Sequence, residues 1–138
     1  MEIGPPKFVK KKWGHELIFH NDDEFCGKLL VFPKSGSSFS MHYHMLKNEA
    51  WYVQAGSFEF DWIDTEEGQL YHSYLQPGQC VDINIGQPHK LTSMKANSII
   101  FEVSTQHFDS DSHRIYINST DDWVKPYGKH LKEKSKKK

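Results

Sequence analysis

Residues 36–56, GSSFSMHYHMLKNEAWYVQAG, decide how the fold of this chain is predicted. Five residues separate the first glycine of this stretch from His42, His44 follows two positions later, four residues precede Glu49, and six more lead to the last glycine. Side chains alternate between the two faces of an extended strand, so His42 and His44 project from the same face. The spacing therefore predicts two imidazoles side by side, with a carboxylate arriving after the next turn.

A second segment, residues 78–93, GQCVDINIGQPHKLTS, adds a third imidazole at His89. Three imidazoles and one carboxylate suit a divalent transition metal such as Mn, Fe, Ni, Co or Zn better than Ca or Mg. Four protein ligands on a six-coordinate ion leave two positions for water or substrate, as in catalytic sites. Because imidazoles bind metals only when neutral, we expect metal affinity to fall as the pH drops through about 6.5.

Short alternating runs bounded by Gly, Pro and Asn recur along the chain, whereas helical periodicity is hard to find. We predict strands at residues 29–32, 39–44, 49–54, 58–62, 69–75, 80–84, 89–93 and 98–104. Many short strands at this spacing predict an all-β sandwich or barrel. Gly36, Gly56, Gly78 and Gly86 fall at turns between these strands, where a positive φ is common.

Composition narrows the class of protein. The chain has 138 residues, 25% of them charged and 14% aromatic, which is ordinary for one globular domain. A net charge of -1 disfavours a nucleic-acid-binding protein, and no apolar run reaches the ~20 residues of a membrane span. We expect a cytoplasmic protein that binds a small molecule, with Cys26 and Cys80 as free thiols.

We place a single domain at residues 1–128 and a separate tail at residues 129–138, KHLKEKSKKK. The tail is basic and poor in apolar residues, so we predict a disordered, solubilising end. An electrostatic tether to an anionic partner is the alternative for such a charge run.

Three cations near the predicted metal ligands are candidate substrate-binding residues. Lys47 precedes the glutamate ligand, Lys90 directly follows His89, and Arg114 offers a guanidinium that suits a phosphate or carboxylate. The alternative for each is a solvated surface cation.

Glu49 and Glu102 are the candidate catalytic carboxylates. Glu102 alternates with two apolar neighbours, so it is expected to point into the barrel, where loss of water raises the pKa of a carboxyl group and suits it to act as a base. The alternative is a structural carboxylate that accepts a hydrogen bond from Trp or Tyr. The His and Asp residues at 107, 109, 111 and 113 are interleaved with serines, and we predict a solvated loop there.

The two glycine-bounded segments resemble the two signature motifs of the cupin superfamily. The first matches every fixed position, whereas the second has Asn84 in place of the usual proline and Ser93 in place of a frequent asparagine. The resemblance covers about residues 29–104 and implies a double-stranded β-helix, the jelly-roll barrel of that superfamily. A homodimer is a further family-level expectation. The metal ligands that the resemblance implies are His42, His44, Glu49 and His89.

A narrower resemblance lies outside these motifs. Residues 12–16, KWGHE, and 26–28, CGK, are similar to the lead-in of the cupin domain in type II mannose-6-phosphate isomerases. Residues 101–105, FEVST, with Arg114 further on, are similar to the segment after the last strand of those enzymes. The ligand segment of that group has a Gln and a closer Glu, whereas this chain keeps the general cupin spacing.

These observations support three hypotheses of function. The first is a metal-dependent isomerase or epimerase of sugars or sugar phosphates, as the narrower resemblance implies. The second is a non-catalytic cupin that binds a small ligand, and the third is an Fe(II)-dependent dioxygenase. One fold hosts all three, so the architecture alone does not choose among them.

Overall fold

A computed structural model describes residues 1–115 of the chain. Eleven strands and one short 3-10 helix make up the regular structure of this part. The strands are β1 (Lys7–Lys11), β2 (Gly14–Asn21), β3 (Cys26–Phe32), β4 (His42–Tyr43), β5 (Glu49–Ala55), β6 (Phe58–Asp64), β7 (Gln69–Leu75), β8 (Cys80–Ile83), β9 (His89–Ser93), β10 (Ser98–Ser104) and β11 (His113–Arg114). The 3-10 helix is Asp109–Asp111. The predicted tail at 129–138 and the domain end at 128 lie outside the described residues.

The strands form two antiparallel sheets. Six strands in the order β1-β2-β3-β10-β5-β8 make one sheet, and five in the order β11-β4-β9-β6-β7 make the other. Neighbours such as β10 and β5 are distant in the sequence, which is the pattern of a jelly roll rather than of a simple meander. The predicted all-β class is confirmed. In the described part of the chain, no helix is long and apolar enough to cross a membrane.

The hydrophobic core lies between the two sheets, on the inward positions of each strand. Phe32 and Ile100 face it from the six-stranded sheet, and Phe58 and Leu91 from the five-stranded sheet. Phe58 follows a tight turn at Gly56, which has a φ of 74°. A Cβ at Gly56 would lie 2.0 Å from the Ser98 hydroxyl oxygen, so this turn requires glycine for space as well as for backbone conformation.

The structure differs from the sequence prediction at two places. Strands β1, β2 and β11 were not predicted. Lysines break the alternation of apolar and polar residues in β1. Strand β11 has only two residues. The predicted strand at residues 39–44 is paired only at His42–Tyr43, with one further bridge between Ser38 and Thr92. A short paired segment is sufficient to place both histidines of the first motif.

Candidate metal centre

Three histidines converge at one end of the space between the sheets. His42 on β4 lies directly opposite His89 on β9, and His44 follows at the end of β4. One ring nitrogen from each lies within 4.8 Å of the others. The backbone positions all three, because the β4–β9 pair sets two of them opposite each other and alternation brings the third to the same side.

The Nδ1 atom of each ring lies against a backbone carbonyl oxygen. His42 Nδ1 is 2.8 Å from the oxygen of Ser40, and His89 Nδ1 is 2.9 Å from that of Gln87, two residues earlier in both cases. His44 Nδ1 is 2.8 Å from the oxygen of Asp111. A carbonyl only accepts, so Nδ1 carries the proton and Nε2 keeps its lone pair, as a metal ligand must.

Burial keeps these rings neutral. Removal from water lowers the pKa of His42 to about 3, and the neighbouring His89 lowers it further. Burial likewise lowers the pKa of His44 and of His89 to about 4. The expectation of titration near pH 6.5 is therefore wrong for the folded protein, because that value belongs to a solvated imidazole. The three rings are ready for a metal throughout the neutral range.

Glu49, the first residue of β5, lies beside His44, but the cluster of mutually close ligand atoms among the described residues contains the three histidines and not Glu49. Its Oε2 atom lies 3.4 Å from His44 Nε2 and 3.6 Å from Lys47 Nζ, and has no hydrogen-bond partner among the described residues. Its Oε1 atom accepts a hydrogen bond of 2.7 Å from Trp51 Nε1. Burial and the neighbouring Glu102 raise the pKa of Glu49. A buried, unpartnered carboxylate oxygen beside three imidazole lone pairs fits a divalent cation, which would supply the missing positive charge.

A chain of buried ion pairs lies beside the histidines. Lys28 Nζ donates to Glu16 Oε2 at 3.1 Å and lies 3.8 Å from Glu102 Oε2. Lys47 Nζ donates to the same Glu102 oxygen at 3.3 Å. The order Glu16–Lys28–Glu102–Lys47 therefore alternates in charge, and all four residues are buried. We call these four residues the ionic wall; each member has an opposite charge beside it, as burial of ions demands.

The two buried glutamates differ in their pKa. Burial raises the pKa of Glu102, but Lys47 and Lys28 lower it more, so the net shift is downward and the group is ionised. The raised pKa that the sequence analysis expected at Glu102 is found at Glu49 instead. The reason is the number of cations, since Glu102 lies between two lysines and Glu49 contacts only Lys47. Glu102 also accepts a hydrogen bond of 3.1 Å from Trp51 Nε1.

The segment predicted as a solvated loop is ordered against the site. Asp111 is buried, and its carboxylate accepts hydrogen bonds from the backbone N–H groups of Met45 and Leu46. His107 Nδ1 lies 3.2 Å from Lys47 Nζ. The prediction of a solvated loop is wrong for Asp111, because the loop after His44 leaves two N–H groups that need an acceptor.

The three histidines, Glu49, the ionic wall and His107 line a cavity of about 580 Å³ between the sheets. That volume lies within the range of small-molecule sites. Three aromatic side chains, Trp13, Phe39 and Trp51, share its wall with the charged residues. Its other charged or titratable lining residues are Lys10, Lys11, Lys12, Glu16, Lys28, His42, His44, Lys47, Glu49, His89, Glu102, His107, Asp109 and Arg114.

Several solved structures share this architecture. KdgF from Halomonas sp. superposes with a TM-score of 0.63 at 17% identity, over 75% of this chain and 89% of that one. The capsular polysaccharide assembling protein CapF from Staphylococcus aureus has a TM-score of 0.70 at 18% identity, over 83% of this chain and 34% of that one. A tryptophan-to-tyrosine variant of oxalate decarboxylase from Bacillus subtilis gives 0.70 at 15% identity, over 89% and 35%. All three are cupin-fold proteins.

The chain has the cupin fold. It spans about one third of the length of the CapF and oxalate decarboxylase chains that it matches. No protein-family model matches the chain, and no curated protein matches it in sequence. At these identities the likeness shows the architecture, so the chemistry has to be argued from the residues of the cavity.

All the predicted site residues except Lys90 line the cupin cavity. Lys47 lines it as a buried, ion-paired group, so the alternative of a solvated surface cation is wrong for this residue. Arg114 lines it from an exposed position on β11. Lys90 does not line it: His89 and Leu91 face inward on β9, so Lys90 between them faces the other side, in register with Asp61.

Sequence reasoning assigned no site role to Glu16 and Lys28, which also line the cupin cavity, and His107, predicted to lie in a solvated loop, lines it as well. The inward position of Lys28, and the need for a partner such as Glu16, could have been predicted from the sequence. In β3, Lys28 has the same parity as the buried Leu30 and Phe32, and a charged residue at an inward position of a strand needs a partner inside. Glu16 lies in register with Leu30 on the neighbouring β2, which supplies that partner.

Proposed function

We propose that this protein is a metal-dependent isomerase or epimerase that acts on a small sugar or sugar phosphate. The observation that carries the proposal is a single cavity in which three neutral imidazoles lie beside a wall of buried, alternating charges. Imidazole nitrogens hold a transition metal, and charged side chains that keep free hydrogen-bonding capacity bind hydroxyl groups.

His42, His44 and His89 would hold the metal, with Glu49 Oε2 adjacent. A metal of this class polarises a carbonyl or hydroxyl oxygen of an open-chain sugar. Carbohydrate rings and chains present apolar C–H faces as well as hydroxyl groups, and Trp13 and Phe39 offer apolar surface on the same wall.

Interconversion of an aldose and a ketose moves one proton between adjacent carbons. Glu49 is suited to carry that proton, because its raised pKa lies nearer neutrality than that of a solvated carboxyl group. Trp51 Nε1 fixes Glu49 Oε1 and leaves Oε2 turned toward the cavity. Glu102 is held ionised by two lysines, so in this proposal it positions Lys47 and Trp51.

The mouth of the cavity favours an anionic substrate. Lys10, Lys11, Lys12 and Arg114 line it, with Asp109 as the acidic residue among them. Deeper in, Glu16, Glu49 and Glu102 face two lysines, so a bound divalent cation would turn the inner balance positive. A field of this sign attracts a phosphate or carboxylate, and Arg114 can bind either through two hydrogen bonds.

The comparisons add limited support. CapF is described as a capsular polysaccharide assembling protein, which connects a cupin of similar fold with carbohydrate. Oxalate decarboxylase, by its name, acts on a small dicarboxylate, which is also an anion. Together with the resemblance of residues 12–16 and 101–105 to type II mannose-6-phosphate isomerases, they favour small, oxygen-rich, anionic substrates.

Proton exchange in heavy water tests the proposal. Protein loaded in turn with Mn, Fe(II), Co, Ni or Zn is incubated with mannose, glucose or fructose 6-phosphate, and deuterium at C1 and C2 is followed by NMR. We expect exchange with at least one metal, lost in Glu49→Gln and kept in His72→Ala. His72 on β7 makes a matched control because its Nδ1 atom is hydrogen-bonded to Asp61 on β6 and its side chain does not line the cavity.

Two results would contradict the isomerase. Absence of exchange with every metal and every sugar phosphate would remove it, and an intact small molecule that co-purifies with the protein would then favour a binding role. Oxygen uptake that depends on Fe(II) and on a non-sugar substrate would favour the dioxygenase instead.

A further inference from the structure

The three histidines of the candidate metal centre are oriented in two different ways. The Nδ1–H groups of His42 and His89 each donate to the carbonyl oxygen of the residue two positions earlier. These hydrogen bonds are local, so the segment that carries each ring also orients it. His44 differs, because its Nδ1–H donates over 2.8 Å to the carbonyl oxygen of Asp111, 67 residues later in the chain. The orientation of this one ligand therefore depends on a distant segment.

Asp111 is itself anchored through its side chain. The residue is buried, with 3% of its surface exposed. Its Oδ1 atom accepts a hydrogen bond of 2.8 Å from the Met45 N–H group, and its Oδ2 atom accepts one of 3.1 Å from the Leu46 N–H group. Met45 and Leu46 directly follow His44 in the chain. Asp111 is thus hydrogen-bonded to three consecutive residues, to the ligand through its backbone and to the next two through its carboxylate.

Two attachments hold the segment that carries Asp111. Ahead of it, the His107 N–H donates to Asn21 Oδ1 at 2.9 Å, and Asn21 Nδ2 donates to the His107 carbonyl oxygen at 3.1 Å. Behind it, β11 pairs with β4 and places His113 opposite Tyr43. Asn21 ends β2 of the six-stranded sheet, whereas β4 belongs to the five-stranded sheet. The segment therefore bridges the two sheets, with Asp111 between the attachments.

The loop that Asp111 anchors also leads to Glu49. At the far end of this loop, the Asn48 N–H donates to Thr105 Oγ1 at 3.1 Å, and the Thr105 N–H donates to the Asn48 carbonyl oxygen at 3.0 Å. The chain from Thr105 to Asp111 thus contacts the loop at its start and at its end. The positions of His44 and Glu49 both depend on these contacts.

The ring of His44 is fixed on the side away from the cavity. A metal-binding histidine usually donates its second ring N–H to a fixed acceptor, which sets the tautomer and the orientation of the ring. The Asp111 carbonyl oxygen is that acceptor here, and the carboxylate of the same residue holds the carbonyl in place. His44 Nε2 keeps its lone pair on the other side of the ring, 3.4 Å from Glu49 Oε2.

We propose that Asp111 is a positioning residue of the metal centre, which orients His44 through its backbone carbonyl and fixes the loop after His44 through its carboxylate. The proposal rests on the metal centre of the proposed function and does not depend on the sugar chemistry. Without the carboxylate, the carbonyl of residue 111 loses its anchor, and the His44 ring has to be ordered when the metal binds. Ordering a side chain on binding weakens affinity, whereas the local hydrogen bonds of His42 and His89 stay intact.

Co(II) binding to the full chain tests the proposal through two variants of Asp111. A chelator competes for the metal, and we expect Asp111→Ala to raise the Co(II) dissociation constant by about 10–100-fold, as for an outer partner of a ligand. Asp111→Asn keeps one carbonyl oxygen that accepts from the loop, so its loss of affinity should be smaller. The visible absorption of bound Co(II) reports the coordination geometry, and we expect Asp111→Ala to change this spectrum and Asp111→Asn to restore it in part.

Asp64→Ala is the matched control. Asp64 Oδ1 accepts hydrogen bonds of 3.0 Å from the N–H groups of Glu66 and Glu67, and Asp64 does not line the cavity. This variant therefore loses two hydrogen bonds of the same kind without contact to a ligand, and we expect it to keep the wild-type affinity and spectrum. Circular dichroism melting verifies the fold of each variant, and Asp111→Asn carries the test where Asp111→Ala does not fold.

Three results would overturn the inference. Wild-type affinity and spectrum in the folded Asp111 variants would show that His44 is oriented without the carboxylate. An equal loss in Asp111→Ala and Asp64→Ala would show that the effect comes from general stability. A wild-type chain that binds no Co(II) would remove the metal centre and this inference with it. A wild-type chain that binds Co(II) but exchanges no proton with any sugar phosphate would contradict the isomerase alone.

Discussion

The two sheets contribute different chemistry to the same cavity. The five-stranded sheet, through β4 and β9, supplies the imidazoles, which are neutral because burial lowers their pKa. The six-stranded sheet, through β2, β3 and β10, supplies Glu16, Lys28 and Glu102, which stay charged because each has an opposite charge beside it. Burial therefore has opposite results in the two sheets, and the presence of a partner makes the difference.

Glu49 and Lys47 lie between two regions of the cavity, the histidine cluster of the five-stranded sheet and the charged residues of the six-stranded sheet. Lys47 lies in the loop between β4 and β5 and joins the ionic wall, whereas Glu49 has one oxygen toward His44 and the other on Trp51. The pKa of Glu49 is raised because burial and the neighbouring Glu102 disfavour its charged form more than Lys47 favours it. In the proposed function, this boundary between the two regions is where the metal would be held and where the proton would be moved.

Removal of one imidazole is expected to have the largest effect. His89→Ala deletes a nitrogen of the three-histidine cluster, and we expect metal content to fall from about one equivalent to near zero. The loss should exceed the roughly 10–100-fold that removal of an outer hydrogen-bond partner costs. Plasma mass spectrometry on protein purified without a metal-affinity tag measures this, with His72→Ala as control. Equal metal content in both variants would place the metal elsewhere.

Removal of one member of the ionic wall is expected mainly to lower the free energy of unfolding. Lys28→Met leaves Glu16 without its hydrogen-bond partner and deprives Glu102 of one of two cations. Breaking a buried pair costs about 3–5 kcal/mol of the free energy of unfolding, because a charge stays buried without its partner. Urea titration measures the loss.

The double variant Glu16→Gln/Lys28→Met is the control for that cost. It removes both partners, so we expect it to be more stable than Lys28→Met alone. A double variant that is less stable by the sum of the two single losses would mean that Glu16 and Lys28 act independently, and would contradict a stabilising interaction between them.

Acid should destabilise the metal-free protein through the three histidines that the five-stranded sheet supplies. Between pH 7 and pH 5 the unfolded chain takes up protons at His42, His44 and His89 (pKa about 6.5), whereas the folded chain does not, with pKa values of about 3 to 4. The free energy of unfolding therefore falls by about 2 kcal/mol for each imidazole as the pH drops to 5. Glu49 acts in the opposite direction, because its folded pKa is raised, and offsets part of the loss.

Urea titrations of metal-free protein at pH 5, 6 and 7 measure this dependence. His42→Gln removes one of the three imidazoles, so its stability should change less steeply with pH. Stability that is flat from pH 7 to pH 5 in the wild type would mean that the rings are solvated or already protonated in the folded state.

The sequence predicted the three histidines, but only Lys47 and Glu102 among the four residues of the ionic wall. His42 and His44 lie two residues apart and share the parity of one strand, so local spacing was sufficient to group them, whereas His89 was added from the second glycine-bounded segment. The ionic wall is assembled by β2, β3 and β10, and the pairing of Lys28 with Glu102 depends on a register that no local pattern encodes. The neutrality of the rings and the raised pKa of Glu49 depend on burial and on the number of neighbouring cations, which only the folded chain defines.

The smallest effect is expected where the two regions meet, at Trp51. Its indole N–H lies 2.7 Å from Glu49 Oε1 and 3.1 Å from Glu102 Oε1, so a single donor serves both carboxylates. Trp51→Phe keeps an aromatic ring in the core and removes that donor. We expect the free energy of unfolding to fall by about 1–2 kcal/mol, as for one lost buried hydrogen bond to a charged group. We also expect metal affinity to fall by about 10-fold, as for an outer partner of a ligand.

Chelator competition and urea titration measure the two quantities separately. Phe60→Leu, a substitution at a core residue whose ring contacts Trp51, controls for altered packing alone. Metal affinity that falls equally in both variants would mean that Trp51 acts through packing. A fall confined to Trp51→Phe would show that one N–H group couples the ionic wall to the carboxylate beside the histidines.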